Sequence, residues 1–167
     1  MSPTVARNMS NDSHVIPKVS GSVRIDSPTD WPRFSVLPDG EHLTCLVERV
    51  KQHVRPSIKV RSAQALADTV GCAYRLAPIG GEASTIESLL VPLRTGGFSI
   101  VINSRQPRSE PEKLWLAAHE IAHSFFYVPG SPPRRIVRCT PAEERFCDAF
   151  ADALLDSDVP SARLRVA

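Results

Sequence analysis

Residues 109–126 read SEPEKLWLAAHEIAHSFF, and this stretch carries the clearest local signals in the chain. Ser109, followed three positions later by Glu112, forms a capping box, which marks the start of a helix. The apolar residues that follow recur at helical spacing. The stretch therefore predicts a capped helix over residues 110–126, with one face turned towards a core.

This helix contains the motif H-E-x-x-H, formed by His119, Glu120 and His123. Residues i and i+4 share a helix face, so both imidazoles can bind one zinc ion at about 2.0–2.1 Å. Glu120 follows His119 by one residue and so lies further round the helix, where its carboxylate can approach a water on the metal without taking a coordination position. Such a carboxylate can act as general base and later protonate a leaving amine. The motif predicts peptide hydrolysis at one Zn²⁺ ion, with Glu120 as the catalytic residue.

The alternative is that the motif belongs to a solvated helix surface. Trp115 and Phe126 share the face of the two histidines, however, and large aromatic side chains of this kind favour a buried position. A metal site is therefore the stronger interpretation.

A catalytic zinc ion needs a third protein ligand. The remaining histidines are His14 in the polar N-terminal region and His42 and His53 on the first predicted helix, and none follows the motif. This distribution favours a carboxylate. Glu144, on the last predicted helix and 21 residues after His123, is the predicted ligand.

Glu143 and Glu144 point about 100° apart on a helix, so they cannot both face the metal. Thr140 as N-cap places Glu143 where its side chain can reach back to the Thr140 N–H, which leaves Glu144 free to bind zinc. Asp148, one turn after Glu144, is predicted to accept the other ring N–H of a ligand histidine. The alternative is a solvated acidic stripe, because Asp152 and Asp156 continue the row.

Residues 116–123 (LAAHEIAH) and 144–155 (ERFCDAFADALL), with the preceding strand 98–104, resemble the ImmA/IrrE family of small zinc metallopeptidases. Asp148 stands where asparagine is usual in that family, and Ala122 replaces a common glycine; neither change removes a ligand. The resemblance implies a gluzincin-like zincin fold. It also implies that the substrate is a helix-turn-helix repressor. A non-catalytic zinc protein that inactivates a repressor by forming a complex is the alternative function.

The rest of the chain predicts an α+β fold, in which a small antiparallel or mixed sheet of about three strands packs against the metal-binding helix and further helices. Pro92 belongs at a sheet edge or bulge. The predicted helices cover residues 41–55, 63–70, 110–126 and 141–156, and the predicted strands cover residues 72–76, 89–93 and 98–103, the last two as an antiparallel pair.

Two further expectations concern substrate contacts. The strand Phe98–Asn103 is expected to run beside the metal helix with an exposed edge that pairs with extended substrate. The 130s, with Pro129-Gly130 and Pro132-Pro133, are expected to form a loop. Its arginines, Arg134, Arg135 and Arg138, together with Tyr74 and Tyr127, are nominees for a donor to the developing oxyanion, although each is more simply explained by a structural role.

Length, charge and cysteine content restrict the number of domains, the partners and the cellular location. The 167 residues fit one domain, predicted over residues 39–167 after a flexible leader over residues 1–38. A net charge of +2 does not suggest direct nucleic-acid binding, and no apolar run suggests a membrane span. The polar N-terminus without a signal sequence and four scattered cysteines predict a cytoplasmic protein with reduced thiols. The oligomeric state is left open.

Overall fold

The computed structural model describes residue 34 and residues 40–54, 61–136 and 138–155. In these residues the chain forms four helices and two small sheets, which confirms the predicted α+β class. The helices are α1 (Gly40–Val54), α2 (Ala63–Thr69), α3 (Glu110–His123) and α4 (Pro141–Leu154), and the strands are β1 (Ala73–Ala77), β2 (Ser88–Pro92), β3 (Phe98–Asn103), β4 (Tyr127–Val128) and β5 (Arg134–Arg135).

The helix α3 lies at the centre of the molecule. It packs against α4 on one side and α2 on another, and it contacts β2 and β3 of the sheet. Ala117, Ala118 and Ala122 are fully buried, and these small side chains let the neighbouring elements approach the helix closely. The predicted cap is present, because the backbone N–H of Ser109 donates to Glu112 Oε2 at 2.8 Å. The expected last turn, Ser124–Phe126, is a 3₁₀ turn rather than α-helix.

The larger sheet has the strand order β1-β3-β2. The antiparallel pairing of β2 with β3 is confirmed, and Pro92 closes an edge strand as expected. The exposed edge predicted for Phe98–Asn103 is wrong, because β1 pairs with β3 in parallel and all six residues of β3 are buried. The run FSIVIN lacks strict polar alternation, which is typical of a strand covered on both faces. The edge strand nearest α3 is therefore β2.

The region expected to be a loop after α3 contains a second, two-stranded sheet. β4 pairs with β5 in antiparallel fashion, with Tyr127 opposite Arg135. The backbone N–H of Ile136 also donates to the carbonyl of Phe126 at 2.8 Å, which extends the hairpin towards α3. Strands of two residues are too short to show a periodic pattern, so no local signal predicted them. The hairpin begins four residues after His123, so its side chains lie near the histidines of the motif.

Phe34 is the described residue of the predicted leader. Its N–H donates to the carbonyl of Phe125 at 3.0 Å, and its ring lies 5.9–6.2 Å from those of Phe125, Phe126 and Phe146. At this point the leader packs against the domain core. The rest of residues 1–38, and the expected end of the last helix at Asp156, lie outside the described residues. Among the described helices, none has the length and apolar character needed to cross a membrane.

Candidate metal centre

The helix α3 turns the two histidines of the motif towards one point. The Nε2 atoms of His119 and His123 lie 3.1 Å apart, as the i, i+4 spacing predicts. Both rings are mostly buried, with 12% and 10% of their side-chain surfaces exposed. The two imidazole nitrogens face each other at this point. They are well placed to bind one cation between them.

The helix α4 brings Glu144 to the same point. Glu144 Oε2 lies 3.3 Å from His119 Nε2 and 3.6 Å from His123 Nε2. Bonds of about 2.0–2.1 Å at tetrahedral angles separate two ligand atoms by about 3.3 Å, so these three atoms match one face of a zinc tetrahedron. The side chain of Glu144 is about half exposed, at 49%, so the cluster is open to solvent at this residue. The residues present fit a three-ligand, open metal site.

Each histidine also has a carboxylate behind it. Asp148 Oδ1 lies 2.9 Å from His119 Nδ1, where the sequence placed it. Glu143 Oε1 lies 2.7 Å from His123 Nδ1, an arrangement that the sequence did not predict. A carboxylate at Nδ1 holds the proton on that nitrogen and leaves Nε2 as the metal-binding atom. Both rings are therefore oriented for coordination through Nε2.

The role predicted for Glu143 is wrong. Thr140 is the N-cap of α4, and its hydroxyl oxygen accepts from the backbone N–H of Glu143 at 3.2 Å. The carboxylate of Glu143, however, turns inward to His123 and Arg135 and is 2% exposed. A capping box contributes on the order of 1 kcal/mol, whereas a buried charged donor left without its acceptor costs more. The tertiary partners therefore decide the direction of this side chain.

Without a metal ion, the cluster favours the protonated, positively charged forms of His119 and His123. Burial by itself lowers the pKa of His119, but hydrogen bonds to Asp148 and Glu144 outweigh it and raise that pKa to about 9. Burial also lowers the pKa of His123. The hydrogen bonds to Glu143 and Glu144 outweigh this effect and raise the pKa of His123 to about 9. The same two histidines hold the pKa of the Glu144 carboxyl far below its ordinary value. A divalent cation would take the place of the proton charge.

Glu120 lies beside this triangle and is 5% exposed. Its Oε1 atom accepts a hydrogen bond of 2.6 Å from the hydroxyl of Ser88, on the edge strand β2. A cavity of about 170 Å³ opens between the two elements, with Ser88, Trp115, Leu116, His119, Glu120 and Asp148 among the residues that line it. The carboxylate predicted as general base thus faces a space large enough for part of a substrate. Sequence reasoning missed Ser88, because a single serine 32 positions away carries no local signal.

Two of the four cysteines lie close to the site. Cys147 is fully buried, and its Sγ atom lies within 4.8 Å of ring nitrogens of both histidines. Burial raises the pKa of its thiol far above the ordinary range. Glu144 is the better third ligand, because its Oε2 atom lies 3.3 and 3.6 Å from the two histidine Nε2 atoms and the pKa of its carboxyl is held far below the ordinary value. Cys139 is exposed, and its thiol donates to Glu144 Oε1 at 2.7 Å.

Two of the nominated oxyanion donors, Tyr127 and Arg135, have other partners. The Tyr127 hydroxyl accepts from Arg135 Nη1 at 3.3 Å, and Arg135 also contacts Glu143. Tyr74 lies on β1, and burial raises the pKa of its hydroxyl. Tyr127 and Arg135 therefore support the buried Glu143.

The structure brings together every residue predicted for the site: His119, Glu120, His123, Glu144 and Asp148. It defines a centre that can hold a divalent metal ion beside a buried carboxylate. The chain matches no family model, and no curated protein or solved structure matches it either. The resemblance to the ImmA/IrrE family therefore rests on the residues quoted above.

Proposed function

We propose that this protein is a zinc-dependent endopeptidase with a zincin-like domain of the ImmA/IrrE type. The observation that carries the proposal is the triangle of His119 Nε2, His123 Nε2 and Glu144 Oε2, with sides of 3.1, 3.3 and 3.6 Å. This triangle lies next to Glu120, a carboxylate that a purely structural metal site would not need. The half-exposed Glu144 leaves access for a substrate, which a closed structural site would not provide.

In the proposed reaction His119, His123 and Glu144 would hold one Zn²⁺ ion per chain. Bound zinc supplies a Lewis acid that polarises the scissile carbonyl and makes water more acidic. Glu120 takes the proton of the attacking water and then delivers it to the amine that leaves, so the proton count balances over the cycle. Ser88 holds one oxygen of Glu120 in place, and the second oxygen is available for the water.

The edge strand β2 is the natural place for an extended substrate. It forms one edge of the larger sheet, and Ser88, at its start, is in direct contact with Glu120. A peptide that adds to an exposed strand edge gains main-chain hydrogen bonds. A substrate chain paired along β2 would pass the cavity beside Glu120. The strand thus takes the role that the sequence had suggested for β3.

The physiological substrate that we propose is a DNA-binding repressor in the cytoplasm, as the family resemblance implies. Cys45, Cys72, Cys139 and Cys147 are all free thiols, which supports a reducing compartment. A repressor could also be inactivated by complex formation alone. The buried and oriented carboxylate of Glu120 favours hydrolysis over that alternative.

The experiment combines metal analysis with one conservative variant. The purified protein should contain about one zinc, and His119→Ala should lose it. Glu120→Gln should retain zinc and lose cleavage of a co-expressed repressor, which the unmodified protein should shorten. Full cleavage by Glu120→Gln would remove the general-base assignment. A repressor that stays full length while its target genes are induced would favour the binding-only function.

A further inference from the structure

A second group of charged and polar side chains lies behind the metal centre and has no direct part in the proposed chemistry. It consists of Arg135 on β5, Tyr127 on β4 and Glu143 on α4. The guanidinium of Arg135 lies 5.3 Å from the centre of the Tyr127 ring, and its Nη1 atom donates to the Tyr127 hydroxyl at 3.3 Å. Its Nη2 atom donates to Glu143 Oε1. The hairpin thus holds Arg135 at several points.

The same carboxylate oxygen serves the metal ligand. Glu143 Oε1 accepts from Arg135 Nη2 and also lies 2.7 Å from His123 Nδ1. With 2% of its side chain exposed, Glu143 has almost no access to water. A buried carboxylate is costly unless a cation and hydrogen bonds compensate it. When His123 binds a metal its ring is a neutral donor, so Arg135 is the contacting side chain that brings positive charge to Glu143.

We infer that Arg135 is a positioning residue for the metal centre. By neutralising Glu143, it keeps that carboxylate in place as the acceptor of the His123 Nδ1 proton and so directs Nε2 to the metal. The backbone supports this role, because the hairpin that carries Arg135 begins four residues after His123. This inference rests on the proposed metal site and adds Arg135 to it.

The neighbouring arginine provides a matched control. Arg134 lies on the same strand and is exposed, whereas the Arg135 side chain is only 28% exposed. Arg134→Gln and Arg135→Gln change the net charge equally. Only the second removes a contact to Glu143. We expect Arg135→Gln to weaken zinc binding by about 10–100-fold, as loss of a partner behind a metal ligand does, and Arg134→Gln to leave it unchanged.

The test measures zinc affinity in the full chain by competition with a chromophoric chelator. Nitrogen-detected NMR of the histidine side chains supplies a readout that a loss of general stability would not imitate. In the zinc-loaded unmodified protein, His123 should show a protected proton on Nδ1 and a metal-bound Nε2. In Arg135→Gln that proton should exchange rapidly, while the Nδ1 proton of His119, which faces Asp148, should stay protected.

A further pair of variants keeps the test decisive if Arg135→Gln folds poorly. Glu143→Gln with Arg135→Met removes both charges, and its zinc affinity should fall no further than that of Glu143→Gln alone if the two residues act as a unit. Equal zinc affinity and an unchanged His123 Nδ1 signal in Arg135→Gln would overturn the inference. Absence of zinc binding by the unmodified protein would instead overturn the proposed function.

Discussion

The hydroxyl of Ser88 donates a hydrogen bond of 2.6 Å to Oε1 of Glu120 and thereby joins the edge strand β2 to the metal helix α3. The contact fixes one oxygen of the proposed general base and leaves the other for water. It also lies on the wall of the cavity that a substrate would enter. A substrate paired along β2 would therefore bind within reach of the group that positions Glu120.

Replacement of Ser88 tests this contact. A hydrogen bond to a charged group contributes about 1.5–3 kcal/mol, so Ser88→Ala should lower kcat/KM for peptide cleavage by about tenfold or more. Zinc affinity should not change, since Ser88 makes no contact with a proposed ligand. Ser88→Thr keeps the hydroxyl and serves as the control. Undiminished hydrolysis by Ser88→Ala would show that the contact does not serve catalysis.

Glu144 and Asp148 should differ in their effect on metal binding. Glu144→Ala removes one of three ligands and should reduce zinc affinity severely, whereas Asp148→Ala removes a partner of His119 and should reduce it about 10–100-fold. Isothermal titration with zinc measures both. Arg145→Ala, an exposed position on the same helix, should bind zinc normally. Tight binding by Glu144→Ala would transfer the ligand role to Cys147.

Glu143 should affect both stability and metal binding. Glu143→Ala leaves Arg135 and His123 without their shared acceptor in a mostly buried position, so the free energy of unfolding should fall by about 2 kcal/mol or more. Urea denaturation measures this change, and metal titration should show weaker zinc binding in parallel. A small loss of stability with normal zinc binding would contradict the role of Glu143 behind His123.

Zinc affinity should depend on pH. The ordinary pKa of the histidines is 6.5, and in the metal-free fold it is raised to about 9 for His119 and His123. Proton binding therefore stabilises the metal-free protein fully below about pH 6.5, and this contribution is lost as the pH rises through about 9. Zinc must displace these protons. Its apparent affinity should consequently rise up to about pH 9 and then level off.

Titrations with zinc between about pH 6 and 10 measure this dependence, with unfolding of the metal-free protein followed over the same range. The metal-free protein should become less stable as the pH rises, while the zinc-loaded protein gains relative to it. An affinity that is flat over this range would show that the metal does not compete for the histidine nitrogens.

The sequence alone determined the features that depend on neighbours along the chain. The i, i+4 spacing of His119 and His123 fixes their common face in any helix, and the Ser109 cap makes the helix itself predictable. The glycines between β2 and β3 marked the antiparallel pair. Glu144 was predicted as the ligand because Glu143 and Glu144 point in different directions on one helix and Glu143 was assigned to the cap. The ligand prediction remains, whereas the cap assignment of Glu143 is wrong.

Only the tertiary structure decided the contacts between distant segments. The parallel pairing of β1 with β3 placed β3 in the centre of the sheet, and this pairing joins segments more than 20 residues apart rather than following from any local pattern. The contacts of Ser88 with Glu120 and of Arg135 with Glu143 also join separate segments, as does the contact of Glu143 with His123. A capping interaction is worth on the order of 1 kcal/mol, and the hydrogen bonds of a buried carboxylate to a histidine and an arginine outweigh it. Local rules therefore place the ligands on their helices, while long-range burial chooses the groups that orient them.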